Sequence, residues 1–171
     1  MNRCVDLFVM RHGIAVDLGA PGITHDAERP LTPEGRSKLG QIVKAMHGME
    51  LAFDAIISSP YLRARQTAEL VACSFKKPVT VELCEALVPD GTAVQVVEML
   101  RRFRPPPGKL LIVGHEPNLS SLVSFLVAGK GGSCVVFKKG GLCKLCVHSL
   151  RPHPEASIEW LLTPKQMIAM A

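Results

Sequence analysis

Arg11-His12-Gly13 is the first group along this chain whose residue types and spacing could do chemistry. An imidazole can attack phosphorus, and a guanidinium can hold phosphate oxygens through two hydrogen bonds. Gly13 would let the backbone turn sharply and approach a ligand closely. Two later segments carry groups of the same kind. They are Ser58-Ser59-Pro60-Tyr61-Leu62-Arg63-Ala64-Arg65-Gln66-Thr67-Ala68 and Gly114-His115-Glu116-Pro117-Asn118. Taken singly, Arg11 and Arg63 read as surface ion-pair residues and His115 as a core histidine with its bonds satisfied. Brought together, two arginines, two histidines and nearby helix N-termini make an anion site suited to a phosphoryl group.

Each of the three segments follows an apolar run and precedes a helix start. Val5 to Met10, Ala55-Ile56-Ile57 and Leu110 to Val113 read as buried strands. In a parallel sheet their carboxyl ends share one edge, where open α/β sheets bind ligands. Between them, Asp17 to Arg29 reads as a polar loop. Thr32-Pro33-Glu34 opens a helix, with Thr32 as N-cap and Gly48 as its stop. Ser59-Pro60 is expected to cap a second helix whose inner face carries Ala64, Ala68 and Val71. Arg63 then lies in its first turn, and Arg65 projects elsewhere. Val79 to Val81 is a weak strand, Ala93 to Phe103 a helix, and Pro117 to about Ala128 another. Beyond these, Cys134 to Phe137, Leu142 to Leu150 and Ser157 to Leu162 look like antiparallel strands. The expected fold is α/β in three layers, α/β/α, with a mostly parallel central sheet and an antiparallel edge, in one domain over 1–171.

Composition removes several function classes. Apolar residues at 47 % against 20 % charged give a globular profile rather than a disordered one. No apolar stretch is long enough for a membrane span, and no leader segment is evident, so a cytoplasmic location is the default expectation. The net charge is +5, with six Lys/Arg against two Asp/Glu over 121–171, which suits an anionic substrate or an acidic partner. No arginine-rich tract with interleaved aromatics points to nucleic acid. The six cysteines read as reduced, mostly buried thiols. Cys143 and Cys146 match C-x-x-C, but three residues apart on a strand they face opposite sides, which opposes a shared metal or disulfide. His25, His47, His148 and His153 lack comparable context.

With these segments in order, the chain resembles the histidine phosphatase superfamily, which includes the cofactor-dependent phosphoglycerate mutases. It looks most like the compact SixA-type phosphohistidine phosphatases. The resemblance spans about residues 5 to 162. It rests on Arg11-His12-Gly13, Arg29-Pro30-Leu31-Thr32-Pro33-Glu34-Gly35, Ser58-Ser59-Pro60 followed by Arg63-Ala64-x-Gln66-Thr67-Ala68, and Gly114-His115. It implies a phosphoglycerate mutase-like fold with a minimal cap, since only 51 residues separate Arg63 from His115. It implies that His12 is the phosphorylated nucleophile and that Arg11, Arg63 and His115 bind the phosphoryl oxygens. Glu85 is the best positional match for the general acid, with Glu82 and Asp90 as weaker alternatives and a loop role as the plain one. Asn118 could support its helix start or touch ligand, and Arg29 could line the rim. Neither metal nor other cofactor is implied. The expected substrate is phosphohistidine on a protein, with a small phosphorylated metabolite as the alternative, and the expected state is a monomer. A noncatalytic phosphate-binding module is disfavoured by the presence of His12 and both arginines. A mutase is disfavoured because a small cap would retain a bisphosphate intermediate poorly.

Overall fold

The computed structural model describes residues 4–77, 79–129 and 135–171. Six strands form one sheet: β1 (Val5–Arg11), β2 (Ala55–Ser58), β3 (Val81–Leu83), β4 (Lys109–Gly114), β5 (Leu142–Ser149) and β6 (Glu155–Leu162). Their order across the sheet is β3-β2-β4-β1-β5-β6. The first four pair in parallel, and β5 and β6 add an antiparallel edge beside β1. The helices are α1 (Pro33–Gly48), α2 (Leu62–Ala72), α3 (Ala93–Leu100), α4 (Asn118–Ala128) and α5 (Pro164–Ala169).

Strand pleating sorts the core into two halves. Leu7, Val9, Ile57, Leu110, Ile112 and Leu145 face one way and pack against α3 and α4. Phe8, Met10, Ile56, Leu111, Val113 and Leu142 face the other way and pack against α1, α2 and Met167 of α5. The continuous apolar run of β4 follows from this double cover, since both of its faces are buried. The sandwich of helices on both sides is the expected three-layer architecture.

Local chemistry sets the helix starts. Thr32 Oγ1 accepts the Gly35 amide at 2.9 Å, and Pro33 sits in the first turn of α1. Gly35 has a reason of its own: a Cβ there would lie 2.2 Å from the Ile14 carbonyl oxygen. α2 departs from expectation. Its N-cap is Tyr61, with no side-chain cap bond; Ser59 lies two residues earlier, where its Oγ accepts the Tyr61 amide and meets His115.

Other boundaries shift for identifiable reasons. β3 runs Val81–Leu83 rather than 79–81, the register in which Ile56 faces Val81 and Ser58 faces Leu83. α3 stops at Leu100, three residues short of Phe103. Val135 to Phe137 is not a strand, because side chains rather than a ladder take the Phe137 backbone: Glu116 Oε1 accepts its N–H and Arg11 Nη1 donates to its carbonyl. Cys134 lies outside the described residues. The cysteines are also not uniformly reduced or buried. A disulfide joins Cys4 to Cys146 across the β1–β5 pair, with Cα atoms 5.7 Å apart, and Cys73 is exposed. Cys143 faces the opposite core half, and burial pushes its thiol up to about 12.

Candidate active site

The strand order puts the ends of three chemistry-bearing segments side by side. Arg11 is paired with Gly114, the last residue of β4. The residue after β1, His12, donates its amide to the Gly114 carbonyl at 3.1 Å, and His115 follows directly. On the far side of β4, Ser59 donates its amide to Val113 at 2.9 Å. His12, His115 and Ser59 therefore leave three adjacent parallel strands at one edge, beside the point where the chain reverses its direction of winding. The His12 and His115 ring centroids are 4.9 Å apart.

Each imidazole has a defined set of neighbours. His12 Nδ1 lies 2.7 Å from the Gly13 carbonyl, which can only accept, so Nδ1 carries the proton. The lone pair is then on Nε2, and Arg63 Nε donates to it at 3.2 Å. His115 Nε2 lies 2.9 Å from Ser59 Oγ, which also accepts the Tyr61 amide. The Ser59 hydroxyl can donate to Nε2, which leaves Nδ1–H of His115 as a buried donor without a partner among the described residues. Ser59 thus serves His115 rather than capping α2.

Burial governs the charge state of both rings. His12 is 5 % exposed and His115 is 1 % exposed. Desolvation pulls the His12 pKa down to about 3, against the Gly13 hydrogen bond and with help from Arg63, Arg11 and Lys139. Desolvation also takes His115 down to about 2, aided by His12, Arg63 and Arg11 and opposed by Asp26. Both rings are neutral at physiological pH, the state in which one ring nitrogen keeps its lone pair.

The two guanidinia sit differently. Arg63, in the first turn of α2, is 4 % exposed, and its Cζ lies 5.2 Å from the Tyr61 ring centroid. Arg11 Nη1 donates to the Phe137 carbonyl at 2.7 Å, and its buried Nε has no partner among the described residues. Burial lowers the Arg11 pKa, opposed by Glu116 and aided by Arg63. Arg65 points away, as its place on the helix requires, and pairs with Glu69 at 2.7 Å.

The remaining motif residues act as braces. Thr67 Oγ1 accepts the Gly13 amide at 3.1 Å and donates to the Arg63 carbonyl at 2.7 Å. Gln66 Oε1 accepts the Leu31 amide at 2.8 Å. Gly13 does not adopt a left-handed turn. Its missing side chain makes room instead for Leu39 and Leu31, since a Cβ would lie 2.7 Å from Leu39 Cδ1. Asn118 Nδ2 donates to the carbonyls of Ala86 and Val88 at 2.8 and 3.0 Å, so it braces the segment after β3. Arg29 braces the β1–α1 loop through Val16 and Asp26. Glu85 opens a 3-10 turn, Glu85–Leu87, and is exposed. The preceding amide, Cys84 N–H, donates to Ser58 at 2.8 Å, which fixes Glu85 near the same sheet edge.

Sequence reasoning missed three contributors: Ser59 as the partner of His115, Asp26 as the partner of Arg63, and Lys139 as a charge near His12. Gly140 N–H donates to both the Arg11 and His12 carbonyls at 3.0 Å, which carries Lys139 to the rim. Two clefts of about 770 and 600 Å³, lined by residues such as Phe53 and Phe75 or Gln66 and Cys73, lie away from the four central residues.

A phosphoglycerate mutase-like sheet with two histidines and two arginines at its carboxyl edge defines a class, and the comparisons agree with it. Residues 7–88 match the family model for the histidine phosphatase superfamily, branch 1. The chain is 31 % identical over 131 residues to the phosphohistidine phosphatase SixA homolog of Haemophilus influenzae, covering 71 % of this chain and 77 % of the relative. The solved structure of the protein histidine phosphatase SixA complexed with tungstate superposes with a TM-score of 0.81 at 24 % identity, covering 94 % of this chain and 98 % of that one. The α-ribazole phosphatase from Shigella flexneri gives 0.69 at 17 %, with 94 % and 97 % covered; these two likenesses show the fold. The chain belongs to the histidine phosphatase superfamily and is SixA-like. It is a phosphatase of that group.

Proposed function

We propose that this protein removes phosphate from phosphohistidine on another protein, through a phosphorylated His12. The observation that carries the reading is the orientation of His12: Nδ1–H is tied to the Gly13 carbonyl, and the Nε2 lone pair faces Arg63 Nε. In the first step Nε2 attacks phosphorus and the bond from phosphorus to the substrate nitrogen breaks. The electron pair stays on the substrate imidazole, which leaves as a neutral ring when its other nitrogen carries a proton. In the second step water attacks the phosphorus on His12, releasing inorganic phosphate and restoring the neutral imidazole. Charge on the equatorial oxygens is met by Arg11, Arg63 and the Nδ1–H of His115, cationic and donor groups that do this work without a metal.

Access favours a large substrate. The described residues between Arg63 and His115 complete α2 and form β3, the Glu85 turn, α3 and β4. α3 is committed to the core through Val96, Val97 and Leu100. None of these elements forms a separate layer over the edge, which leaves room for a side chain presented by another protein. Glu85 serves as the acid for any ester substrate.

A substrate panel tests this. The wild type should hydrolyse a phosphohistidine protein in preference to sugar phosphates and nucleotides, with chelator present or absent. Glu85→Gln should slow ester hydrolysis much more than phosphohistidine hydrolysis, because an alkoxide needs a proton in the transition state and a neutral imidazole does not. Equal losses would give Glu85 a structural role. Efficient turnover of one metabolite with phosphohistidine ignored would instead make this a small-molecule phosphatase.

A further inference from the structure

Asp26 touches the phosphate clamp directly. It opens a short 3-10 turn, Asp26–Glu28, in the loop between β1 and α1. Its Oδ2 accepts from Arg63 Nη2 at 2.8 Å, and its backbone carbonyl accepts from Arg63 Nη1 at 2.6 Å. Its other oxygen, Oδ1, accepts from Arg29 Nη1 at 2.7 Å, and Arg29 Nε in turn donates to the Val16 carbonyl at 2.6 Å. Asp26 is thereby anchored from behind while it grips both ends of the Arg63 fork.

A guanidinium is planar, so fixing its two terminal nitrogens fixes the direction of Nε–H. That third direction leads to His12 Nε2 at 3.2 Å. We infer that Asp26 is a positioning residue that aims Arg63 Nε–H at the nucleophile and, once phosphorus is attached there, at an equatorial oxygen. This rests on the proposed reaction at His12.

Charge makes the inference sharper. A carboxylate beside an anion site repels the bound anion, so an acidic residue there does not help to hold phosphate. It is useful only if aiming the guanidinium is worth more in the transition state than the repulsion costs. Asp26 is itself held in its charged form: hydrogen bonds from Arg29 and Arg63 bring its pKa below the usual value, against desolvation. Positioning and binding should therefore separate. Removing Asp26 relieves repulsion while it loosens Arg63, so phosphate binding changes little and the chemical step suffers.

The test uses the full chain with a chromogenic phosphate ester and, in parallel, a phosphohistidine protein. Asp26→Ala should lower kcat at least about tenfold while the inhibition constant of inorganic phosphate stays within about threefold. Asp26→Asn keeps an acceptor for Arg63 and should recover most of the loss. In an Arg63→Ala background, Asp26→Ala should add less than about a twofold further loss, because its effect passes through Arg63. Wild-type kcat in Asp26→Ala, or full additivity with Arg63→Ala, would overturn the inference and leave the phosphatase reading standing. A wild type that hydrolyses neither substrate would overturn that reading and the inference with it.

Discussion

Residue types at this site are those that the proposed phosphoryl chemistry requires. Arg11 and Arg63 present planar forks in partly or fully buried settings, where a charge-assisted hydrogen bond is stronger than in water. Arg11→Ala or Arg63→Ala should each cost about 2–4 kcal/mol of transition-state stabilisation, the range for losing one preorganised donor. Lysine should rescue poorly at either position, since an ammonium cannot reproduce the fork. Arg65→Ala should stay near wild type, because that side chain is solvent-facing and paired with Glu69. Values of kcat/KM for these five variants measure this, and equal damage at positions 63 and 65 would contradict the observed helix register. The four central residues were legible in the sequence because each follows an apolar run. Their partners were not. Ser59 meets His115 across 56 positions and Asp26 meets Arg63 across 37, separations at which no local pattern operates.

At the scale of elements, the site is held by contacts between the starts of helices and the ends of strands. Gly35, Thr67 and Gln66 bind the β1–α1 loop to α1 and α2, so the loop that carries Gly13 cannot drift from the helix that carries Arg63. Gly35→Ala drives a methyl group into the Ile14 carbonyl, a backbone atom that cannot rotate away. It should destabilise the fold by about 1–3 kcal/mol, the usual cost of forcing extra volume into a packed place. Thr67→Val should cost about 1–3 kcal/mol by leaving the buried Gly13 N–H without an acceptor. Urea unfolding checks both, and unchanged midpoints would show that neither brace matters. Elements with a local signal were readable, such as the Thr32-Pro33 start of α1. α5 carried a signal too, since Thr163 and Gln166 form a capping box, but over only six residues with little apolar periodicity to support it. The limits of β3 depend on its pairing with β2, which a short edge segment does not announce.

For the molecule as a whole, the buried imidazoles tie stability to pH. In the folded state His12 and His115 stay neutral down to about 3 and about 2, whereas in the unfolded chain they take up protons near 6.5. Their contribution is therefore fully present above pH 6.5 and is lost as pH falls below it, because the unfolded chain binds protons that the folded chain refuses. The slope should be on the order of 1 kcal/mol per pH unit for each histidine. It should be visible between pH 6.5 and the ordinary Asp26 value of 3.8, below which that carboxylate adds its own loss. Urea unfolding across this window is the measurement. The His12→Asn/His115→Asn double variant should show a flatter profile, and an identical profile would mean that the rings titrate normally in the folded state. Alternation of strands and helices made the layered fold legible from the sequence. The Cys4–Cys146 bond was not, since its halves are 142 residues apart and meet only when β5 docks on β1.

Trapping the phosphorylated protein decides whether His12 carries the phosphoryl group. The protein is mixed with a phosphohistidine protein or a reactive phosphodonor, quenched in base within the first turnover, and digested for mass spectrometry. One phosphate should appear on His12, attached through Nε2, stable in alkali and lost in acid, and absent from His12→Asn under the same conditions. Phosphate found on another residue, or full turnover in His12→Asn, would contradict it.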